Sequence, residues 1–185
     1  MDKKPYIIGF AGGTCSGKSF AAEKLKAALA PRTVTVINMD TYFMNPPAKT
    51  IAPITGIEYV EHNHPDGMRL NELYAAFEEA INAKPDFVII DGLFAFHLEK
   101  IRKQLDLKVF VDLKSDERLV RRIRRHTQRG QTFDEVVNRY LDTVRYRHDE
   151  LVEPTRWHAD IVLNGLFDNP DNKGLAILLG YLKSL

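Results

Sequence analysis

Lys18 and Ser19 close the run Gly12-Gly13-Thr14-Cys15-Ser16-Gly17-Lys18-Ser19, which fits GxxxxGK[ST], and the run follows the apolar stretch Tyr6–Ala11. Residues of these types at this spacing handle phosphate. Glycines let successive backbone N–H groups turn inward onto phosphate oxygens, and a helix starting near Lys18 adds the positive end of its dipole. Lys18 is expected to reach the β- and γ-phosphates, and the Ser19 hydroxyl to meet Mg²⁺. Gly12, Gly13, Thr14, Cys15, Ser16 and Gly17, with Phe20 just beyond, are the expected nucleotide contacts. A glycine turn that merely joins strand to helix is disfavoured, because position, spacing and flanks all agree.

Two carboxylates fall where such a loop would use them. Asp91 ends the apolar run Phe87-Val88-Ile89-Ile90, the pattern of a Walker B acid that orients Mg²⁺. Asp40 follows the strand-like Val34–Asn38, at the carboxyl edge where ligands bind in open α/β sheets.

The elements that must position these groups alternate. Tyr6–Ala11, Val34–Asn38, Phe87–Ile90, Leu107–Asp112 and Ile161–Leu163 read as strands. Helices are predicted over Phe20–Leu29, Leu70–Ala83, Asp116–Gln128, Phe133–Leu151 and Leu175–Leu185. This order predicts a three-layer α/β fold: one parallel sheet of about five strands with helices on both faces, in a single domain over 1–185. Thr41–Gly67, rich in proline and glycine, is too long for a plain connection and is predicted to be a substrate-binding loop.

With 185 residues, one cysteine and a net charge of +1, the chain has no internal disulfide and no general basicity calling for nucleic acid. No apolar run reaches the roughly 18 residues of a membrane span, and no signal peptide is visible, so a cytoplasmic protein is expected. A homo-oligomer stays open. Cys15 is read as a small loop residue.

Arg118, Arg121, Arg122, Arg124, Arg125 and Arg129 crowd one predicted helix and the turn after it. An isolated charge run is usually a solvated face. Beside a phosphate loop, arginines on a mobile helix can close over the transferred phosphoryl group, so 116–147 is expected to act as an arginine-bearing lid. Arg122 and Arg125, three apart, share a helix face.

Taken together, the phosphate loop, Asp40-Thr41-Tyr42-Phe43, His64-Pro65-Asp66, Asp91-Gly92, Val109–Asp112, Arg121–Arg125, Arg129-Gly130, Glu153-Pro154-Thr155 and Ala159-Asp160 resemble the uridine-cytidine kinases, of the uridine kinase and phosphoribulokinase group of P-loop kinases. The resemblance implies ATP with Mg²⁺ as cofactors and a ribonucleoside or similar small molecule as acceptor. Asp40 falls on the general base for the sugar 5′-hydroxyl, Lys18, Arg122 and Arg125 on catalytic positions, and Arg129 on a phosphate contact. Tyr42, Asn63, His64, His97, Arg122 and Arg139 fall on or near the acceptor. Asn63 replaces an acidic ribose-binding residue, and an amide still hydrogen-bonds a hydroxyl.

Other departures concern the base. These kinases carry a β-hairpin between the helix ending near Ala83 and the strand at Phe87, where this chain has only Asn82–Asp86, so the resemblance implies a missing base lid. His97 stands where the family has an aromatic residue, and either bonds the base or ribose or caps a short helix. Gln131 stands in place of an arginine and Arg139 in place of a glutamine. Base discrimination is therefore expected to be loose or redirected, with Arg139 offering a planar fork of donors to a carbonyl or carboxamide oxygen. Nicotinamide riboside kinases, which also lack that hairpin and share Asp-x-Phe/Tyr-Phe, are the rival resemblance.

A regulatory nucleotide switch is disfavoured because Asn172-Lys173-Gly174-Leu175 lacks the aspartate of the guanine signature, and a noncatalytic remnant because Lys18, Ser19, Asp40 and Asp91 are all present. His62 and His64 lack the partners of a zinc site. His126, His148 and His158 read as surface or boundary residues, and Trp157 as packing at the entrance of the last strand.

Overall fold

Runs of β-branched and aromatic residues, apolar on both sides, can be satisfied only in a strand covered on both faces. The computed structural model, which describes residues 4–185, contains such strands at the sheet's centre, β1 (Tyr6–Ala11), β5 (Phe87–Asp91) and β6 (Leu107–Asp112), flanked by the less covered edge strands β2 (Val34–Asn38) and β7 (Ile161–Asn164). All pair in parallel, in the order β2-β5-β1-β6-β7. The fold class, sheet direction and strand positions match the expectation.

Side-chain alternation splits the core in two. Ile7, Val88, Ile90 and Phe110 face α2 (Leu70–Asn82) and the short α3 (Glu99–Arg102), packing with Leu73, Phe77 and Ile101. Ile8, Phe10, Ile89, Val109 and Leu163 face α1 (Lys18–Ala28) and α7 (Gly174–Ser184), packing with Ala21, Leu25 and Leu178. The parallel strands end at one edge, so the loops after β1, β2 and β5 converge there. Phe10 pairs with Asp91, and Asn38 also pairs with Asp91, which sets the two carboxylate-bearing strand ends beside the phosphate loop.

Three segments differ from the sequence-based expectation. Thr41–Gly67 is not irregular throughout: β3 (Lys49–Ile51) and β4 (Glu58–Val60) form an antiparallel hairpin, and the Phe43–Met68 bridge pins the ends of the excursion together. The helix expected over Phe133–Leu151 is a rod of mixed pitch. α5 (Phe133–Arg139) starts with a Thr132/Glu135 capping box, and α6 (Arg145–Arg147) lies between π turns at Tyr140–Val144 and His148–Val152. Trp157 does not pack at the entrance of β7: it is 91% exposed, because the 3₁₀ turn Glu153–His158 buries Thr155 instead. Among the described residues no helix is long and apolar enough to cross a membrane.

Candidate active site

A cleft of about 460 Å³ opens at the carboxyl edge of the sheet, between the phosphate loop, the segment Asp40–Asn63 and α4 (Ser115–Thr127) with the rod behind it. Its floor is the loop after β1. Gly17 takes φ 106 and Cys15 φ 60, left-handed conformations that wind the backbone into helix α1. A Cβ at Gly13 would collide with the Arg118 guanidinium, so glycine there admits a buried arginine behind the loop.

Lys18 opens α1, buried to 8% exposure, and its Nζ donates to the Gly13 carbonyl at 2.9 Å. Burial pushes its pKa down, and the Asp91 and Asp40 charges oppose that shift. Asp91 is buried in turn; burial raises its pKa, while Lys18 and a hydrogen bond from the Ser19 hydroxyl pull it back. Its Oδ1 has no hydrogen-bond partner. A buried, unpartnered carboxylate oxygen beside a serine hydroxyl is a hard-oxygen donor pair of the kind Mg²⁺ takes, so these residues fit the metal the sequence implies.

Asp40 is exposed to the cleft from the 3₁₀ turn Met39–Tyr42, which begins where Asn38 Oδ1 accepts the Asp40 N–H at 2.9 Å. The next aromatic residues divide differently from the expectation. Phe43 lines the cleft and meets the His62 ring at 5.2 Å, whereas Tyr42 is not a lining residue and packs against the core beneath.

The arginines of α4 sort by helical position. Arg121, Arg122 and Arg125, with Arg129 beyond the helix, line the cleft; Arg124 is exposed away from it. Arg118 turns behind the phosphate loop, donating from Nε to the Leu113 carbonyl. Arg122 is 7% exposed and donates from Nη1 to Thr14 Oγ1 at 3.2 Å, with its pKa lowered to about 10 by burial.

His62, Asn63 and, from the rod, Arg139 also line the cleft, and the hairpin is tied to the rod. Tyr59 and Thr55 donate to Asp142 Oδ2 at 2.7 and 3.0 Å, and Arg139 donates from Nη2 to the Val60 carbonyl. Arg147 pairs with Glu61 at 3.3 Å and Glu150 at 2.8 Å. Arg139, Thr143 and Arg147 recur every four residues. On an α-helix of 3.6 residues per turn such positions drift by about 40° each. The wider π turn takes up that drift, and Arg139 and Arg147 both reach the hairpin. Between α2 and β5 there is no hairpin among the described residues; the one present leaves from the segment after β2, and its strands do not line the cleft. Its two strands are three residues each and too short to announce themselves.

Asn63 lines the cleft with 6% exposure, and its N–H donates to Glu61 Oε1 at 2.6 Å. Glu61, which sequence reasoning missed, is itself buried at 4% exposure. Its only sequence signal is an acid two positions before Asn63. His64 and His97 lie outside the cleft. His64 Nδ1 accepts the Asp66 N–H, capping a 3₁₀ turn. His97 neither caps α3 nor reaches the cleft; it sits edge-on to Phe94 and bonds the Leu151 backbone, its pKa lowered by burial.

His126 lines the cleft, with Nδ1 bonded to Gln131 Oε1 at 2.7 Å. His148, within the rod, turns a largely covered ring toward Glu153, with Nε2 3.3 Å from Oε2, and its pKa is pushed down to about 3 by burial and by Arg118 and Lys18. Both are half-buried, in keeping with the boundary reading, and His158 is exposed. Phe20 lines the cleft and stacks on Phe167, with ring centroids 5.7 Å apart; Phe167 in turn covers Gly17. Phe167 was missed because no motif marks the loop after β7.

A sequence profile of the Phosphoribulokinase / Uridine kinase family matches residues 56–170. Similar proteins include uridine kinase of Geobacillus kaustophilus, 32% identical over 88% of this chain and 87% of that one. Uridine kinase of Clostridium botulinum (strain Kyoto / Type A2) is 31% identical over 87% and 88%. Among solved structures, shikimate kinase from Bacteroides thetaiotaomicron superposes with a TM-score of 0.57 at 17% identity, covering 97% of this chain and 99% of that one, a likeness of fold.

Proposed function

The chain belongs to the phosphoribulokinase / uridine kinase family, and from that membership we propose that it transfers the γ-phosphate of ATP to the 5′-hydroxyl of a ribonucleoside or closely similar ribosyl compound. The observation that carries the reading is that Lys18, Asp91 and Asp40 meet in one cleft, although they come from three separate strand ends. Phosphoryl transfer asks the protein mainly for positioning and charge.

Each group has a part. The backbone of Gly12–Gly17 and the start of α1 cradle the phosphates, and Ser19 with Asp91 would hold Mg²⁺. A bound magnesium ion neutralises charge on the phosphate oxygens. Lys18, Arg122 and Arg125 place positive charge where negative charge spreads in the transition state, with Arg129 nearby. Asp40 accepts the proton of the acceptor hydroxyl as its oxygen bonds to the γ-phosphorus and the bond to the ADP oxygen breaks. Asn63 offers its amide to ribose hydroxyls, and Phe43 and His62 supply the wall beside them.

The reading is tested by a coupled ADP-release assay over uridine, cytidine, a purine nucleoside and nicotinamide riboside, with Asp40→Asn as control. The variant keeps shape but cannot take the proton, so kcat falls by about 10²- to 10⁴-fold with ATP affinity little altered. A full-rate variant would remove Asp40 from the chemistry, and failure of every acceptor to stimulate ADP release would remove the kinase assignment.

A further inference from the structure

Three arginines outside the cleft are held in ion pairs, while Arg32, Arg102 and Arg118 are held by backbone carbonyls. Arg69 pairs with Glu72, Arg147 with Glu61 and Glu150, and Arg156 with Asp112 and Glu153. Among the described residues, none of Arg121, Arg122, Arg125, Arg129 and Arg139 makes an ion pair. The cleft therefore holds five arginines and Lys18 against two carboxylates, Asp40 and Asp91. A triphosphate with its magnesium answers the part of that charge around the phosphate loop, where Arg122 is anchored on Thr14.

Arg139 lies elsewhere. It comes from the rod and is held against the hairpin by the Val60 carbonyl, near His62. Its Nε–H is buried with no acceptor, and burial lowers its pKa. Glu61 is close enough to be felt but is already committed, one oxygen to the Asn63 N–H and the other to Arg147. His62 cannot supply a counter-charge and is kept toward its neutral form by burial and by Arg139. A desolvated guanidinium without an anion is costly unless something brings one.

Resting on the kinase reading above, we propose that the phosphate acceptor carries its own negatively charged group, a carboxylate or a phosphate, which Arg139 binds. A neutral carbonyl could accept a hydrogen bond from this arginine but could not answer its charge. A carboxylate or phosphate does both, because two parallel N–H donors match two of its oxygens. The acceptor is thus an anionic ribosyl compound, and a neutral nucleoside is the poorer member of each matched pair.

The test uses pairs differing by that group, each with a free 5′-hydroxyl: uridine against 6-carboxyuridine, nicotinamide riboside against its carboxylate counterpart, and uridine against uridine 3′-phosphate as the phosphate arm. Wild type, Arg139→Gln and Arg139→Lys are compared by kcat/KM. The charged member of at least one pair is favoured by about 10- to 100-fold, the worth of a hydrogen bond to a charged group. Arg139→Gln collapses that ratio and Arg139→Lys retains part of it. The arm with the larger ratio identifies the anion. Equal or better use of the neutral members by the wild type overturns the proposal, whether or not the variants fold. If no probe is phosphorylated, calorimetric binding of the same pairs in the presence of ADP and Mg²⁺ decides: selective binding of the charged probe supports it, and indifference to charge refutes it.

Discussion

Glu61→Gln changes one atom of a buried carboxylate and removes its charge. In the native protein one oxygen accepts the Asn63 N–H at 2.6 Å and the other faces Arg147 Nε at 3.3 Å. A glutamine has one acceptor oxygen for these two donors, so either Asn63 or Arg147 meets an amide NH₂. Removing one partner of a fully buried pair costs about 3–5 kcal/mol. Here Arg147 is 29% exposed and keeps Glu150 at 2.8 Å, which discounts that figure. A single buried donor left unsatisfied costs about 1–3 kcal/mol, and we take about 2 kcal/mol as the expected loss. For a chain of this size that lowers Tm by about 4–8 °C. Asn63 also loses the tether that fixes its place in the cleft, so the acceptor KM rises by about threefold to tenfold while kcat changes less. Differential scanning calorimetry reads the first effect and steady-state ADP release the second. In a cycle with Arg147→Met, the double variant loses less than the sum of the single variants, because each alone strands the other's group. An unchanged Tm and acceptor KM, or strict additivity in the cycle, would refute the role given to Glu61.

Further outcomes follow from the same geometry. Lys18→Ala loses nearly all phosphoryl transfer while its far-ultraviolet circular dichroism is retained, since the lysine contributes charge to the transition state; unchanged turnover would contradict its place in the cleft. Phe167→Ala removes the ring over Gly17 and the stack on Phe20, so KM for ATP rises about twofold to tenfold with acceptor KM steady, and the reverse pattern would move Phe167 to the acceptor side. His148, held neutral down to about pH 3 in the fold, takes up a proton below about 6.5 once unfolded. Its stabilising contribution is complete above pH 6.5 and is lost as pH falls toward 3, alongside smaller shifts of the same sign at His62, His97 and His126. His148→Leu therefore flattens the fall of Tm between pH 6.5 and 5, and an unaltered slope would show that His148 is not the group responsible.

The parts of the molecule legible in the sequence are those whose cause is local. Phe87–Ile90 is apolar throughout and reads as a central strand, and the glycines before Lys18 fix their loop by backbone freedom alone. Asp40 and Asp91 followed from strand ends, and the sheet brings them to the cleft as the order of elements implied. What stayed hidden depends on distant partners. Lys49–Ile51 and Glu58–Val60 are too short to hold a hairpin by propensity; Tyr59 and Thr55 find Asp142, more than eighty positions on, to fix it. Glu61 is a buried acid only because Arg147 meets it. Nothing in the spacing of α4 told that Arg118 would go behind the loop while Arg121, Arg122 and Arg125 faced the cleft. His64 caps a turn and His97 packs on Phe94, both outside the cleft, because a histidine near a proposed loop is equally suited to capping and packing.

The π turns at Tyr140–Val144 and His148–Val152 bear on how this rod tolerates changes of length. A single π turn within a helix amounts to one surplus residue looped into an otherwise regular spiral, with the chain on either side keeping its direction. Dropping one residue from Tyr140–Val144 would tighten that turn to α pitch, leaving Arg139 before it and Arg147 after it close to their present bearings. The same deletion in α4, which has no slack, would swing Arg125 and everything after it by about 100°. Homologous rods one residue shorter can thus hold the same hairpin, and an alignment that places its gap outside these turns would pair the wrong arginines.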